Sequence, residues 1–131
     1  MALWRIMAYH LAGDFCPIQD WYAAQDIEVQ AAFDAALTTL NATADWSDTW
    51  QFKELTKTHA GLGEIRFKLD GPPIRRFRPV GIWPPIIPNE FILLLGCEKN
   101  RSVYIPQDAF TLALAYKRRW EQGEGEIHDY I

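Results

Sequence analysis

The part of the chain that most constrains its fold is a run of three strand candidates, at 62–69, 74–80 and 90–97. A short turn and a proline-rich loop, 81–89, separate them. Parallel neighbours need a crossover of a dozen or more residues, so connections this short favour antiparallel pairing. The loop holds three prolines, which lack backbone donors and exclude a central strand there. The run therefore predicts an antiparallel meander.

Helix signals lie before and after this run. Pro17 can begin a short helix over 17–24, and Asp26 is a plausible N-cap for a second one. Pro106 can open a last helix over 107–122. The second helix also has an apolar stripe at spacings of four, four and three residues, which is typical of a helix packed on a core: Val29, Phe33, Leu37 and Leu40.

With an opening strand at Leu3–Tyr9, the element order is β-α-α-β-β-β-α. This order predicts an α+β domain in which the helices cover one face of the meander. The 131 residues suffice for one domain with a substantial core. We expect that domain over 1–122, followed by a flexible acidic tail at 123–131.

The net charge of −4 conceals a strong asymmetry along the chain. Residues 1–52 carry one arginine against seven acids, and 120–131 carry four acids and no base. Residues 53–119 carry twelve lysines and arginines against six acids. The overall charge is therefore a poor guide to what the middle of the chain could bind.

Other composition signals argue against metals, cofactors and membranes. Cys16 and Cys97 lack C-x-x-C spacing, which favours free thiols. His10, His59 and His128 share no ligand spacing, so we expect no metal site, and no cofactor motif is present. No signal-peptide pattern and no apolar run of spanning length occurs. We therefore expect a cytoplasmic protein that has no cofactor and does not contact a membrane.

The basic middle is the feature that could carry a function. Side chains alternate along a strand, so Glu64, Arg66 and Lys68 should share one face of the first strand candidate. Arg76 and Arg78 should share a face of the next strand, and a hairpin would bring the two sets together. Like charges placed opposite each other destabilise a sheet, so the cluster needs either an acidic partner, with Glu64 the local candidate, or a polyanionic ligand. Charged faces of strands are usually only solvated surface, and the residues alone favour this interpretation over a binding site.

The aromatic residues suggest core packing rather than a binding surface. The six tryptophans are scattered along the chain, so we interpret them as core and loop anchors and not as platforms for nucleic-acid bases. Trp46 and Trp50 lie in the connection after the second helix. Both are expected to fold back onto the core.

Several local strings resemble, in content and order, the RelE/HigB superfamily, and most closely its phage-derived, HigB-like toxin group. They are FKEL at 52–55, GLGEIRF at 61–67, RRFR at 75–78, FILLLGCEK at 91–99 and the helix at 109–120. The resemblance implies a small RelE-like α+β domain with a curved antiparallel sheet of about four strands, two N-terminal helices and one C-terminal helix. It also implies a toxin of a type II toxin–antitoxin pair, bound by a helix-turn-helix antitoxin, that cleaves mRNA on the ribosome.

The implied chemistry is attack of a ribose 2′-OH on the neighbouring phosphate. It needs a base, cations for the developing charge and an acid for the leaving 5′-oxygen. Carried over from the family, Arg66 and Arg76 are candidates for phosphate stabilisation. The base remains open among Lys53, Lys57 and His59. The resemblance also implies RNA contacts by Lys68, Arg75, Arg78, Lys99 and Arg101.

The chain departs from the family at several positions. Asn100 stands where a second lysine is common, Ile105 replaces a threonine before Pro106, and the loop 81–89 is longer. Two alternatives to the RNA-cleaving toxin therefore stay open. One is a non-catalytic, phage-derived binding module, and the other is a ParE-like toxin directed at DNA gyrase.

Overall fold

The computed structural model describes residues 2–11, 13 and 15–130. Its three α-helices are α1 (Pro17–Ala23), α2 (Ile27–Asn41) and α3 (Ala109–Glu121). Its strands are β1 (Arg5–His10), β2 (Phe52–Glu54), β3 (Leu62–Ile65), β4 (Phe67–Leu69), β5 (Arg75–Phe77), β6 (Val80–Ile82), β7 (Glu90–Leu95), β8 (Glu98–Asn100), β9 (Val103–Ile105) and β10 (Glu126–Asp129). None of the described helices combines the length and the apolar character that crossing a membrane requires.

The ten described strands form two sheets, so the expected small RelE-like domain with one antiparallel sheet of about four strands is wrong. The larger sheet has the order β10-β1-β7-β6-β3-β2, and the smaller has the order β4-β5-β8-β9. β1 and β7 are parallel. This pairing is possible because α1 and α2 lie between them in the chain and provide the crossover. The protein is a mixed α+β fold that is richer in sheet than predicted.

The second sheet arises because the chain passes between the two sheets at three breaks, which fall at Arg66, at Arg78–Pro79 and at Gly96–Cys97. The first break lies in the middle of the predicted strand 62–69, and the other two lie at the ends of the predicted strands 74–80 and 90–97. The segments beyond those ends, β6 and β8, therefore reach past the predicted strands. The predicted hairpin is confirmed on both sides of the first two breaks. Leu62 pairs with Ile82 in the larger sheet, and Lys68 pairs with Arg76 in the smaller one.

Helices cover both faces of the larger sheet, and not one face as expected. Side chains of β7 alternate between two cores, because Phe91 packs in the cluster that includes α2 and Ile92 in the cluster that includes α3. All six residues of β7 are buried, which is why its sequence is a nearly continuous apolar run. The predicted stripe of α2 is confirmed, since its four apolar residues are fully buried. Asp26 caps the helix by accepting a hydrogen bond from the Val29 amide.

Residues 126–129, expected in a flexible tail, form β10 instead. This strand pairs antiparallel with β1, with Met7 opposite Asp129 and His10 opposite Glu126. The Tyr9 hydroxyl donates a hydrogen bond of 2.8 Å to the Glu124 carbonyl. Without β10, β1 would be an edge strand with unpaired backbone groups. The acidic segment is therefore ordered by backbone pairing with β1, despite its negative charge.

Candidate functional site

The smaller sheet aligns three cations and a tyrosine in a single row across its strands. Lys68 lies opposite Arg76, Arg76 lies opposite Lys99, and Lys99 lies opposite Tyr104. Residues that are directly opposite each other project from the same face of a sheet. We call these four residues the basic row. The other face of this sheet packs on α2, where the rings of Phe33 and Phe67 stack at 5.5 Å.

A pocket of about 340 Å³ opens beside the basic row. We call it the basic pocket, and its lining comprises Trp50, Arg66, Phe67, Lys68, Arg76 and Arg78. Four of these six side chains are cationic. The pocket lies where the first two strand candidates pass from one sheet to the other, and the interruption at Arg66 and Arg78 turns both arginines toward the same space.

The carboxylate of Glu64 lies under these arginines. Glu64 is only 1 % exposed. Its Oε1 accepts a hydrogen bond of 3.2 Å from Arg66 Nε and lies 3.9 Å from Arg78 Nε. Its Oε2 accepts a hydrogen bond of 3.3 Å from the Tyr104 hydroxyl. The prediction that Glu64 is the local acidic partner is confirmed, but one buried carboxylate serves two arginines.

Arg78 is the most buried cation of the pocket, at 9 % exposure. Its Nη1 donates a hydrogen bond of 2.8 Å to the Phe77 carbonyl, while its buried Nε has no hydrogen-bond partner among the described residues. Burial lowers the pKa of Arg78, and the charge of Glu64 acts in the opposite direction. Arginine remains protonated in proteins, so Arg78 supplies a fixed positive charge at the base of the pocket.

Tyr104 ends the basic row as a neutral hydroxyl. Burial, followed by the neighbouring charge of Glu64, raises the pKa of Tyr104 to about 12. The ammonium group of Lys99 lies 5.5 Å from the centre of its ring. At neutral pH, Tyr104 can therefore donate a hydrogen bond, but it is a poor proton acceptor.

The exposed face of the smaller sheet, which carries the basic row, has more positive than negative charge. Lys68 Nζ lies 3.5 Å from Asp70, a carboxylate at the edge of the sheet that is itself 79 % exposed. Arg76 and Lys99 form no ion pair within residues 2–11, 13 and 15–130. An excess of cations on neighbouring strands is unfavourable unless an anion binds there. The surface is therefore suited to a polyanion.

Arg75, a predicted RNA contact, lies on the opposite face of the sheet. Its Nη2 and Nε donate to the two oxygens of Glu98 at 2.9 and 3.1 Å. Its guanidinium also lies 5.0 Å from the ring of Phe77, and Nη1 lies 3.9 Å from Asp26. The bonds to Glu98 raise the pKa of Arg75. Arg75 thus joins the sheet to α2 and does not belong to the basic pocket.

The three candidate bases lie outside the pocket lining. Lys53 is exposed on β2, directly opposite Glu64. Lys57 and His59 occupy a short 3-10 helix, Lys57–His59. The ring of His59 lies 4.5 Å from that of Phe110, which lies 4.4 Å from the ring of Tyr104. His59 therefore approaches the end of the basic row through one intervening ring.

Arg101, the last predicted RNA contact, lies apart from this group. It is exposed in the turn between β8 and β9 with φ of 58°. The structure thus brings together Arg66, Lys68, Arg76 and Arg78 in the basic pocket. It places Lys99 beside them in the basic row, and separates Arg75 and Arg101 from them.

Two residues of this site, Trp50 and Tyr104, were not predicted from the sequence. Trp46 is buried as expected, but Trp50 is 63 % exposed and lines the basic pocket. Nothing in the local pattern distinguished the two tryptophans. Tyr104 lies in β9, which pairs with β8 through the turn at 101–102. No strand was predicted at 103–105, although a Val-Tyr-Ile segment following a polar turn is a strand signal.

Comparisons with protein-family models, with curated proteins and with solved structures gave no significant match to this chain. In the described part of the chain, no group of three or more His, Cys, Asp or Glu side chains could hold a metal ion. The basic pocket and the basic row are therefore the features from which a function can be inferred.

Proposed function

We propose that this protein binds RNA through the basic pocket and basic row and cleaves it, as an endoribonuclease toxin of a type II toxin–antitoxin pair. One observation carries the binding part of this proposal. Four cationic side chains line one pocket around a single buried carboxylate, next to a fifth cation in register. The resemblance of the chain to RelE/HigB toxins supports the part that concerns cleavage.

The dimensions of the basic row favour a chain of phosphates over a single anion. Neighbouring strands lie about 4.8 Å apart, so Lys68, Arg76 and Lys99 extend over about 10 Å of the sheet surface. Ion pairs with phosphate are charge-assisted, and the arginine fork can bind two phosphate oxygens at once. A linear polyanion can contact several of these groups simultaneously, which a small carboxylate cannot do.

The same groups fit parts of a transesterification. Arg66 and Arg76 would stabilise the charge that develops on the phosphate as the 2′-OH attacks. Tyr104 keeps its proton and could donate it to the leaving 5′-oxygen. Lys53, Lys57 and His59 remain the candidates for the base, and His59 is the one that approaches Tyr104 through Phe110.

The partners of this proposal follow from the resemblance. They are a helix-turn-helix antitoxin, which would hold the toxin inactive, and a ribosome carrying mRNA in the cytoplasm. The basic pocket is the surface that we expect to meet the mRNA. An antitoxin that neutralises the toxin would either cover this pocket or prevent its approach to the ribosome.

A second candidate function is RNA binding without cleavage. It is favoured by the position of the three candidate bases, none of which lines the basic pocket. It is also favoured by the raised pKa of Tyr104, which makes this hydroxyl a weaker proton donor for the leaving oxygen. The phosphate-binding groups would be the same in both functions, so only an assay of cleavage separates them.

Binding can be tested with two neighbouring arginines that point to opposite faces. Arg76→Ala should weaken binding of a fluorescently labelled RNA several-fold and reduce the slope of log K against log salt by about 0.7, the value for one phosphate contact with a single strand. Arg75→Ala removes the same charge from the chain but should leave affinity and slope nearly unchanged. Equal effects of the two substitutions would mean that only net charge matters, and would contradict the proposed site.

Cleavage can be tested by induced expression in bacteria. The intact protein should arrest growth and cleave mRNA, and Arg66→Ala should do neither. RNA binding without arrest or cleavage would reject the enzyme and support the non-catalytic binding module. DNA breaks without loss of mRNA would instead support the gyrase-directed alternative.

A further inference from the structure

Trp50 lines the basic pocket and is exposed, but its indole carries no charge with which to bind a phosphate. Its side chain is 63 % exposed, although tryptophan is normally among the most buried residues on average. In the described part of the chain, no aromatic ring packs against the Trp50 indole and no cation lies over it. An unpartnered indole beside four cations leaves an apolar ring free to contact a ligand.

The backbone next to Trp50 is joined to that of Arg66. Trp50 lies in the turn that leads into β2, and the carbonyl of the next residue, Gln51, accepts a hydrogen bond of 2.7 Å from the Arg66 amide. Trp50 and Arg66 both line the basic pocket. The indole and a phosphate-binding residue therefore lie on two neighbouring backbone segments that a hydrogen bond joins.

We propose that Trp50 is a stacking platform for an unpaired base, and that the ligand of the basic pocket is consequently a single-stranded polynucleotide. This inference depends on the proposed function, because it assigns the phosphates of the same strand to the cations of the pocket. A ring that lies next to phosphate-binding groups matches the two parts of a nucleotide. Proteins that bind single strands commonly combine a basic surface with aromatic side chains in this way.

The geometry of stacking explains why the ligand should be single-stranded. In a duplex the faces of the bases are covered by their neighbours, so an indole beside the backbone has no base to contact. The cations, in contrast, can meet the phosphates of a single strand or of a duplex. Because every base has a flat face, stacking on Trp50 selects for single strands without selecting for a particular sequence.

Three of the other tryptophans do not offer such a surface. Trp4 and Trp46 are 7 % and 1 % exposed. Their rings stack on each other at 4.3 Å, and Trp83 stacks on Trp46 at 5.7 Å. These indoles are part of the core beneath the larger sheet, so a substitution there would test stability instead of binding.

The test compares three polyanionic probes, of which only one offers unpaired bases along its length. They are a labelled RNA of eight nucleotides, the same RNA annealed to its complement, and inorganic polyphosphate as the competitor that has no bases. For the single strand, Trp50→Ala should reduce affinity by about tenfold, within the range of roughly 5- to 150-fold that corresponds to the loss of one stacked base. Trp50→Phe should recover most of this loss.

Polyphosphate and the duplex are control probes, because neither offers an unpaired base that could stack on Trp50. Trp50→Ala should change the affinity for either of them less than twofold, whereas Arg76→Ala should weaken all three. If Trp50→Ala weakened polyphosphate binding as strongly as RNA binding, or left RNA binding unchanged, the platform would be rejected and the phosphate site would stand. If none of the three probes bound the intact protein, the proposed function itself would fail.

Discussion

Glu64 and Arg66 connect the interior of the protein to its basic surface through a hydrogen bond of 3.2 Å between Oε1 and Nε. The carboxylate is buried, while the arginine side chain keeps 29 % exposure. The pair lies where the first predicted strand passes from the larger sheet to the smaller one. Glu64 therefore fixes the direction of Arg66 and limits the repulsion between Arg66 and Arg78.

Removing this carboxylate should destabilise the fold as well as weaken binding. Glu64→Ala leaves Arg78 buried without a counter-charge, and loss of one partner of a buried ion pair costs about 3 kcal/mol of unfolding free energy. Urea denaturation measures this loss. Glu54→Ala, which removes an exposed glutamate from β2, is the matched control and should change stability by less than about 0.5 kcal/mol. Similar midpoints for the two variants would contradict the structural role of Glu64.

The folded protein should lose stability in alkali. Burial and the charge of Glu64 raise the pKa of Tyr104 from 10.0 to about 12, and burial raises the pKa of Cys97 from 9.0 to about 12. A group with a raised pKa stabilises the fold below its unfolded pKa, and this contribution is lost as the pH rises through the folded pKa.

Denaturation midpoints should therefore fall progressively from about pH 9 toward pH 12. In Tyr104→Phe the decline between pH 10 and 12 should be less steep, because one of the groups with a raised pKa is absent. Measurement of urea midpoints across this range checks the sign and the slope. A pH dependence that Tyr104→Phe does not alter would mean that Tyr104 is not buried against Glu64.

The acidic C-terminal segment should be necessary for stability. Deletion of 123–131 removes β10, exposes the edge of β1 and uncovers the core residues that contact Tyr130. Loss of the buried part of one aromatic side chain alone corresponds to about 2 kcal/mol. Tyr130→Ala would show how much of the effect comes from this side chain. A deletion variant as stable as the intact chain would restore the expectation of a flexible tail.

Gly81 should not tolerate a side chain. A Cβ atom at this position would overlap the ring of Phe91 and would lie 2.5 Å from the carbonyl oxygen of Ile92. Because the backbone oxygen belongs to the paired strand β7, neither neighbour can move freely. Gly81→Ala should lower the unfolding free energy by about 2 kcal/mol, as overpacking of a core does. An unchanged denaturation midpoint would show that β6 and β7 can separate locally.

The hairpin and the face that its charges share were predictable from local sequence. Period-two alternation places Arg66 and Lys68 together, and the turn at 70–73 directs the next strand back beside them. The separation of Arg75 from Arg76 also follows from alternation, but the resemblance assigned both residues to RNA. In the structure Arg75 pairs with Glu98 on the opposite face, so the family pattern was less informative here than strand geometry.

The number of strands was not predictable in the same way. The chain shows three continuous strand patterns, two that alternate and one that is apolar, and the breaks at Arg66, Pro79 and Gly96 are too short to alter them. Gly96 is required because a Cβ atom there would overlap the indole of Trp21 in α1. Gly96 and Trp21 are 75 positions apart in the sequence, so no local sequence pattern could predict that they approach each other.

The sequence by itself determined the three α-helices, the antiparallel hairpin and the face that Arg66 and Lys68 share, since these depend on periods of two or 3.6 residues. The tertiary structure decided which charges meet. Glu64 became a buried partner because Arg66, Arg78 and Tyr104 surround its carboxylate. Trp50 was left on the surface while Trp46 was buried, and residues 126–129 became a strand by pairing with β1. Each of these outcomes depends on contacts between distant segments, which residue periodicity does not encode.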